Sequence, residues 1–259
     1  MDEVQDDDEH PRLARDARPL AVASLSLAPS YAVLCAVQAA VVLAPRRAHR
    51  RGGLGWIWLL APAVALGVGI AVLRIVSGGP HALALVAAVA TPVLAALRPR
   101  RAPFALVLWL VSWLAHGLLA QAASVALIAL AAVSIAEVAA TFAPPWSLAA
   151  GLVLLAGVDV VLVWGTSQIG PATTALHQAA VPSALGHSIP RLQDVTFGSA
   201  TMGWLDLVAP ALLGVVARAR LRAAVVTGVA AGAWGLLLIV TPIIPATVPT
   251  LAGLLAARL

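Results

Sequence analysis

Long apolar stretches dominate the chain, and short polar or glycine-rich breaks separate them. Each stretch is close to the roughly 20 mostly apolar residues that an α-helix needs to cross a bilayer. The pattern predicts an all-α, polytopic integral membrane protein with about nine transmembrane helices. The predicted spans lie at about residues 20–45, 54–73, 76–97, 103–119, 121–141, 146–166, 197–217, 222–241 and 242–257.

Polar segments suggest how the chain is organised around these spans. Residues 1–19 are acidic and polar, without the basic start and small-residue cleavage site of a signal peptide, so they predict a disordered tail. Residues 20–145 are expected to form an N-terminal bundle of five helices. Residues 146–259 carry the last four spans and a semi-polar loop, 167–196, that faces one side of the membrane.

Three prolines stand at the start of the ninth stretch, at Pro242, Pro245 and Pro249. Proline removes a backbone donor and disfavours helix at the preceding residue. At membrane depth this is tolerated only where protein or a cavity replaces the lost hydrogen bonds. The ninth segment is therefore predicted to be partly unwound.

Composition and charge agree with a membrane protein. Hydrophobic residues make up 61% of the chain and the mean hydropathy is +0.98, which excludes an ordinary soluble globular domain. All 16 basic residues are arginines, and a group of them in alternate loops marks the cytoplasmic side. This predicts an outward-facing N-terminus and loop 167–196, a cytoplasmic C-terminus, a bilayer environment in the cell membrane, and no nucleic-acid partner. The group is Arg46, Arg47, Arg50, Arg51, Arg98, Arg100, Arg101, Arg218, Arg220, Arg222 and Arg258.

Three carboxylates lie inside predicted spans, namely Glu137, Asp159 and Asp206. An ionised group at the bilayer centre costs roughly 2.5–3.5 kcal/mol on insertion scales, so each needs a reason. Counted from the span ends, Asp159 and Asp206 lie roughly 10 and 13 Å from the same membrane face. Because their helices are antiparallel neighbours, the two carboxylates can face each other at nearly one depth.

Two carboxyl groups held together away from water cannot both ionise easily and can share one proton. The charged member can then take a proton from water while the neutral member polarises or protonates a carbonyl. Such a pair hydrolyses peptide bonds without a metal or cofactor. The residues alone leave a second interpretation open, in which the pair only hydrogen-bonds two helices together.

Two segments, "VDVVLVWGT" (158–166) and "MGWLDLVAP" (202–210), resemble the two aspartate motifs of the presenilin and signal peptide peptidase family of intramembrane aspartyl proteases. The family's Pro-Ala-Leu element has a counterpart in the "PAT" of residues 245–247. Leu205 occupies the place of the family's second glycine, and Thr247 that of its leucine. The resemblance covers about residues 151–259 and corresponds to a divergent homologue of prokaryotic type.

The resemblance implies a site and a substrate class. Asp159 and Asp206 would be the catalytic pair, and the substrates would be transmembrane helices of other membrane proteins. No metal and no cofactor would be required. The substrate-binding or active-site loop positions implied by the motifs are Gly203, Leu205, Pro245, Ala246 and Thr247.

Two other functions remain open at this stage. A non-catalytic relative would bind membrane helices without cutting them. A proton-coupled transporter would use Glu137, with His116, as a further proton carrier beside the two aspartates; simple polar contacts between helices are the plainer interpretation of those two residues.

The loop 167–196 also allows several interpretations. It can be a lid over the aspartates, a partner for a substrate strand, or an ordinary connector. His177, His187 and Asp194 lie in it, but their spacing is weak evidence for a metal site, and none is expected.

Overall fold

The computed structural model describes residues 10–45, 55–75, 78–166, 169–179, 189–241 and 243–258. The described residues are mostly helical, with 80% in helix and 4% in strand. The elements, in chain order, are α1 (His10–Leu43), α2 (Gly55–Ile75), α3 (Gly79–Ala95), α4 (Ala102–Leu114), α5 (Gly117–Phe142), α6 (Pro145–Gly165), α7 (Ile169–Gln178), β1 (Asp194–Phe197), β2 (Ala200–Gly203), α8 (Leu205–Val216), α9 (Arg220–Gly235), a 3-10 turn (Leu236–Ile239) and α10 (Val248–Arg258).

The number of helices that can cross a membrane is smaller than predicted. Within the described ranges, three are long and apolar enough: α5, α6, and α9 with its 3-10 extension. A bent pair in α2, Gly55–Ala61 and Val64–Val72, adds a fourth if it counts as one span. The prediction of nine transmembrane helices is therefore not supported, although these helices do suggest membrane association.

The missing length has a local cause in four helices. Helices α3, α4, α8 and α10 are only 11–17 residues long, whereas α1 is a longer helix in which Leu27–Leu43 is the apolar part. A helix of 17 residues measures about 26 Å, less than the ~30 Å hydrocarbon core. An apolar stretch in the sequence continues through turns and strands, whereas the helix within it stops where the backbone changes conformation.

Helix α1 extends into the segment predicted as the N-terminal tail. Helix α1 begins at His10, so residues 10–19 are helical, although they fall in the segment 1–19 that was predicted to be disordered. Pro11 stands in the first turn, where proline is well tolerated, and leucine, alanine and arginine follow as good helix formers. Residues 1–9 lie outside the described part of the chain.

The predicted seventh span does not begin as a helix. Residues 194–203 form an antiparallel hairpin in which Asp194 pairs with Gly203 and Phe197 with Ala200. Gly198 opens the two-residue turn with φ 59°, a conformation that glycine adopts without strain. Helix α8 starts only at Leu205, and α7 occupies part of the loop predicted at 167–196.

The hairpin is docked onto the helices at its tip. The backbone N–H of Gly198 donates to Gln121 Oε1 of α5 at 2.7 Å, and that of Ser199 donates to Ser30 Oγ of α1 at 3.2 Å. Val195 of β1 and Met202 of β2 are buried. The hairpin is therefore fixed between α1 and α5, and its second strand leads directly into α8.

Helix α8 lies at the centre of the described structure. It packs against α1, α5 and α6, and its residues Leu207 and Leu213 are fully buried. Gly214 lets α1 approach closely, because a Cβ there would collide with the carbonyl oxygen of Val42. This packing brings the start of α8 beside α6, which is what positions the candidate site.

Candidate active site

Asp159 lies on α6 and is half-buried. Thr247 donates two hydrogen bonds to its carboxylate, from the backbone N–H and from the hydroxyl to Oδ2, at 3.2 and 2.7 Å. Hydrogen bonds to an ionised acceptor are stronger than neutral ones. Thr247 therefore fixes one oxygen of Asp159 from a segment that is distant in the sequence.

Thr247 belongs to the unwound segment that precedes α10. Residues 243–247 are not helical, which confirms the prediction from the prolines for the described part of this stretch; Pro242 lies outside it. The Trp234 indole N–H donates to the carbonyl of Pro245 at 2.9 Å, so the end of α9 holds the segment in place. Pro245 and Thr247 are buried, and Ala246 between them is half-buried.

Asp206 is the second residue of α8 and is also half-buried. Its Oδ2 accepts a hydrogen bond from the backbone N–H of Gly203 at 2.7 Å. An acid in the first turn that binds a preceding backbone N–H stabilises a helix N-terminus. The sequence predicts Asp206 within a span, but in the structure it lies in the first turn of a helix.

Gly203 leaves little space for a side chain beside that carboxylate. A Cβ at this position would lie 3.1 Å from Asp206 Oδ2, tighter than an ordinary van der Waals contact. Leu205, on the other side of Trp204, is half-buried and packs against the apolar core. The glycine is thus the element of this motif that contacts the carboxylate.

The two aspartates interact across the packed helices α6 and α8. Their helices are in direct contact, and the two carboxylates are near enough to each other for electrostatic coupling. Among the described residues, hydrogen-bond donors reach only Oδ2 of each carboxylate. The remaining oxygens can therefore accept a hydrogen bond from water or, when protonated, donate one to a substrate carbonyl.

Glu137 belongs to a different cluster. It is 1% exposed, and its carboxylate accepts hydrogen bonds from Arg98 Nε at 3.1 Å and Arg101 Nη2 at 2.8 Å. These contacts join α5 to the turn between α3 and α4. His116, at the opposite end of α5, is exposed and about 31 Å away along the helix, so the two residues do not form one proton pathway.

The three residues considered for a metal do not form a site in the described structure. His177 of α7 and Asp194 of β1 are joined by a hydrogen bond of 2.5 Å between Nδ1 and Oδ2. His187 lies outside the described residues. The described ranges contain no group of three or more residues able to hold a metal ion.

Sequence reasoning missed Gln38. It lies on α1, is 3% exposed, and its amide Nε2 donates to the backbone carbonyl of Asp206 at 3.2 Å. A glutamine inside the first apolar stretch was the available signal, because buried polar groups in membranes need partners. Nothing local in the sequence indicates that its partner is Asp206.

Comparisons with protein-family models, with curated proteins and with solved structures find no match for this chain. Functional inference therefore depends on the contacts around the two aspartates.

Proposed function

We propose that this protein is an intramembrane aspartyl protease that hydrolyses peptide bonds within transmembrane helices of other membrane proteins. The observation that carries the proposal is the placement of Asp159 and Asp206 on two packed helices, with one oxygen of each held by a fixed donor. The proposed environment is the cell membrane, with the N-terminus and loop 167–196 outside and the C-terminus in the cytoplasm.

The chemistry requires only the two carboxyl groups and water. The ionised member accepts a proton from water, and the resulting hydroxide attacks the substrate carbonyl while the protonated member donates a hydrogen bond to that carbonyl oxygen. Breakdown of the tetrahedral intermediate then delivers a proton to the leaving amine. Neither metal nor cofactor enters these steps.

A purely structural role explains the two aspartates less well. Asp206 alone is accounted for by its position in the first turn of α8. Asp159 has no such role, since it lies within α6, six residues before the helix ends at Gly165. Two carboxylates that only stabilised packing would disfavour each other when both were charged, so their proximity is better explained by shared proton chemistry.

The hairpin provides a way to present a substrate. Among the described residues, β1 and β2 pair only with each other, so each has one edge without a strand partner. We propose that an unwound substrate segment adds to one of these edges, with its backbone amides paired as in β-augmentation. Since β2 continues directly into α8, the added strand would pass close to Asp206.

The test is cleavage of a panel of tagged single-span proteins in liposomes. The unaltered protein is expected to cut at least one of them, and Asp159→Asn and Asp206→Asn are each expected to abolish cleavage while substrate binding persists. Glu137→Gln is the comparison variant, because it alters a buried carboxylate with a separate set of partners. It should retain most of the activity.

The competing functions give different results. Binding of the helices without cleavage by the unaltered protein would instead support a non-catalytic relative. Proton flux that depends on Glu137 as strongly as on the two aspartates would support a transporter. Either result would overturn the protease proposal.

A further inference from the structure

Helix α8 contains a proline four residues after Asp206, at position 210. In an α-helix the carbonyl of residue i accepts a hydrogen bond from the N–H of residue i+4. Proline has no N–H, and its ring collides with the carbonyl of residue i−4. The backbone carbonyl of Asp206 is therefore deprived of its normal donor by Pro210.

Gln38 of α1 replaces that donor. Its side-chain Nε2 lies 3.2 Å from the carbonyl oxygen of Asp206 and 3.8 Å from the sulfur of Met202, the residue before Gly203 in β2. Gln38 is 3% exposed, so no water competes for these contacts. One buried amide thus contacts both the end of the hairpin and the start of α8.

We infer that Gln38 is a positioning residue that holds the Asp206 backbone by supplying the hydrogen bond that Pro210 cannot make. This rests on the proposed protease function, in which the Asp206 carboxylate must face Asp159. Gln38 contacts the backbone of Asp206 and has no role in proton transfer. It affects the reaction by positioning the Asp206 carboxylate, because a displacement of a reacting group by about 1 Å can lower the rate substantially.

A simpler role for Gln38 is to join α1 to α8 with an interhelical hydrogen bond. Both roles predict that loss of the amide lowers the stability of the protein. They differ in what happens when residue 210 regains an N–H. If Gln38 acts by replacing the missing donor, Pro210→Ala should make it dispensable, because the alanine N–H can bind the Asp206 carbonyl within the helix.

The experiment is a double-mutant cycle with Gln38→Met and Pro210→Ala. Methionine has a similar size to glutamine but no donor. With proline at 210, Gln38→Met is expected to lower kcat about tenfold and leave KM unchanged. With alanine at 210, the same change should have an effect of about twofold or less.

Gln121→Met is the matched control. Gln121 also binds the hairpin region, but it accepts a hydrogen bond from the N–H of Gly198 and does not touch Asp206. Any loss that it causes should be the same with proline or alanine at position 210.

Two results would overturn the inference: a Gln38→Met effect of equal size in both backgrounds, or no effect with proline present. If the unaltered protein cleaves no substrate, the protease proposal fails. The unfolding temperatures of the four proteins of the cycle, namely the unaltered protein, the two single variants and the double variant, then decide this inference. A smaller loss from Gln38→Met in the Pro210→Ala background supports it, and equal losses overturn it.

Discussion

Thr247 and Asp159 are joined by two hydrogen bonds to a single carboxylate oxygen, one from the backbone and one from the hydroxyl of Thr247. A side chain without a hydroxyl at position 247 would retain only the backbone donor. The hydroxyl of Thr247 therefore adds a contact to Asp159.

Thr247→Val tests the hydroxyl, because valine has nearly the same shape and no donor. Loss of a hydrogen bond to a charged group costs about 1.5–3 kcal/mol, so cleavage should fall about ten- to a hundredfold. Thr247→Ser retains the donor and should stay within about threefold of the unaltered protein. Steady-state cleavage rates measure both, and equal activity of the valine variant would show that the hydroxyl is not required.

Gly203→Ala tests the space beside Asp206. The new Cβ would lie 3.1 Å from Oδ2, so the carboxylate must move by a few tenths of an ångström. We expect kcat to fall about tenfold, because small displacements of reacting groups are costly. Gly157→Ala is the control: it lies two residues before Asp159, and a Cβ there would meet nothing within 4 Å. Similar losses in both variants would argue against a specific steric effect at Gly203.

Glu137→Ala is expected to reduce stability, because it leaves two arginines without their shared carboxylate. Removal of one partner from a fully buried pair costs about 3–5 kcal/mol, and we expect about 2 kcal/mol here because the Arg98 side chain is half exposed. Thermal unfolding measures the effect.

The two arginines of this cluster should differ in their contributions. The side chain of Arg101 is 20% exposed and that of Arg98 is 52% exposed, so water screens the Arg98 contact more strongly. Arg101→Ala should therefore lower the unfolding temperature more than Arg98→Ala. The reverse order would contradict this description of the cluster.

Gly253→Ala tests the close packing of α10 on α8 and α9. A Cβ at Gly253 would collide with the Thr227 hydroxyl and lie 2.8 Å from a methyl group of Leu213. Overpacking of this kind costs about 1–3 kcal/mol, which should appear as a lower unfolding temperature. Gly232→Ala, on α9, would meet nothing within 4 Å and should leave stability nearly unchanged. Equal effects of the two variants would show that this contact is not tight.

Several features of this protein follow from the sequence alone. The apolar stretches indicate a helical protein suited to a membrane, since only continuous apolar surface is compatible with lipid. The prolines before α10 indicate a break, because each removes a backbone donor. The order of the apolar stretches placed Asp159 and Asp206 on helices that do pack together, α6 and α8. The depth count for Asp206 was wrong, because it assumed a helix from residue 197, whereas α8 begins at Leu205.

Other features were predicted wrongly, because hydropathy does not distinguish an apolar helix from an apolar strand or turn. Hydropathy predicts a helix from residue 197, but Gly198 turns the chain and its neighbours pair as strands. Hydropathy also predicts too many spans for the same reason. An apolar stretch shows which residues can lie in lipid or in a protein core, but it does not show how long the helix within that stretch is.

Only the tertiary structure decided which contacts complete the site. Thr247 was predicted as a loop position, but its hydrogen bonds to Asp159, 88 residues away, were not, and Gln38, 168 residues from Asp206, was not predicted at all. Local sequence determines which backbone donors and acceptors are left unsatisfied, as Pro210 does for the carbonyl of Asp206. Which distant side chain satisfies them depends on how the helices pack, and here the packing of α1, α6 and the segment before α10 around α8 makes that choice.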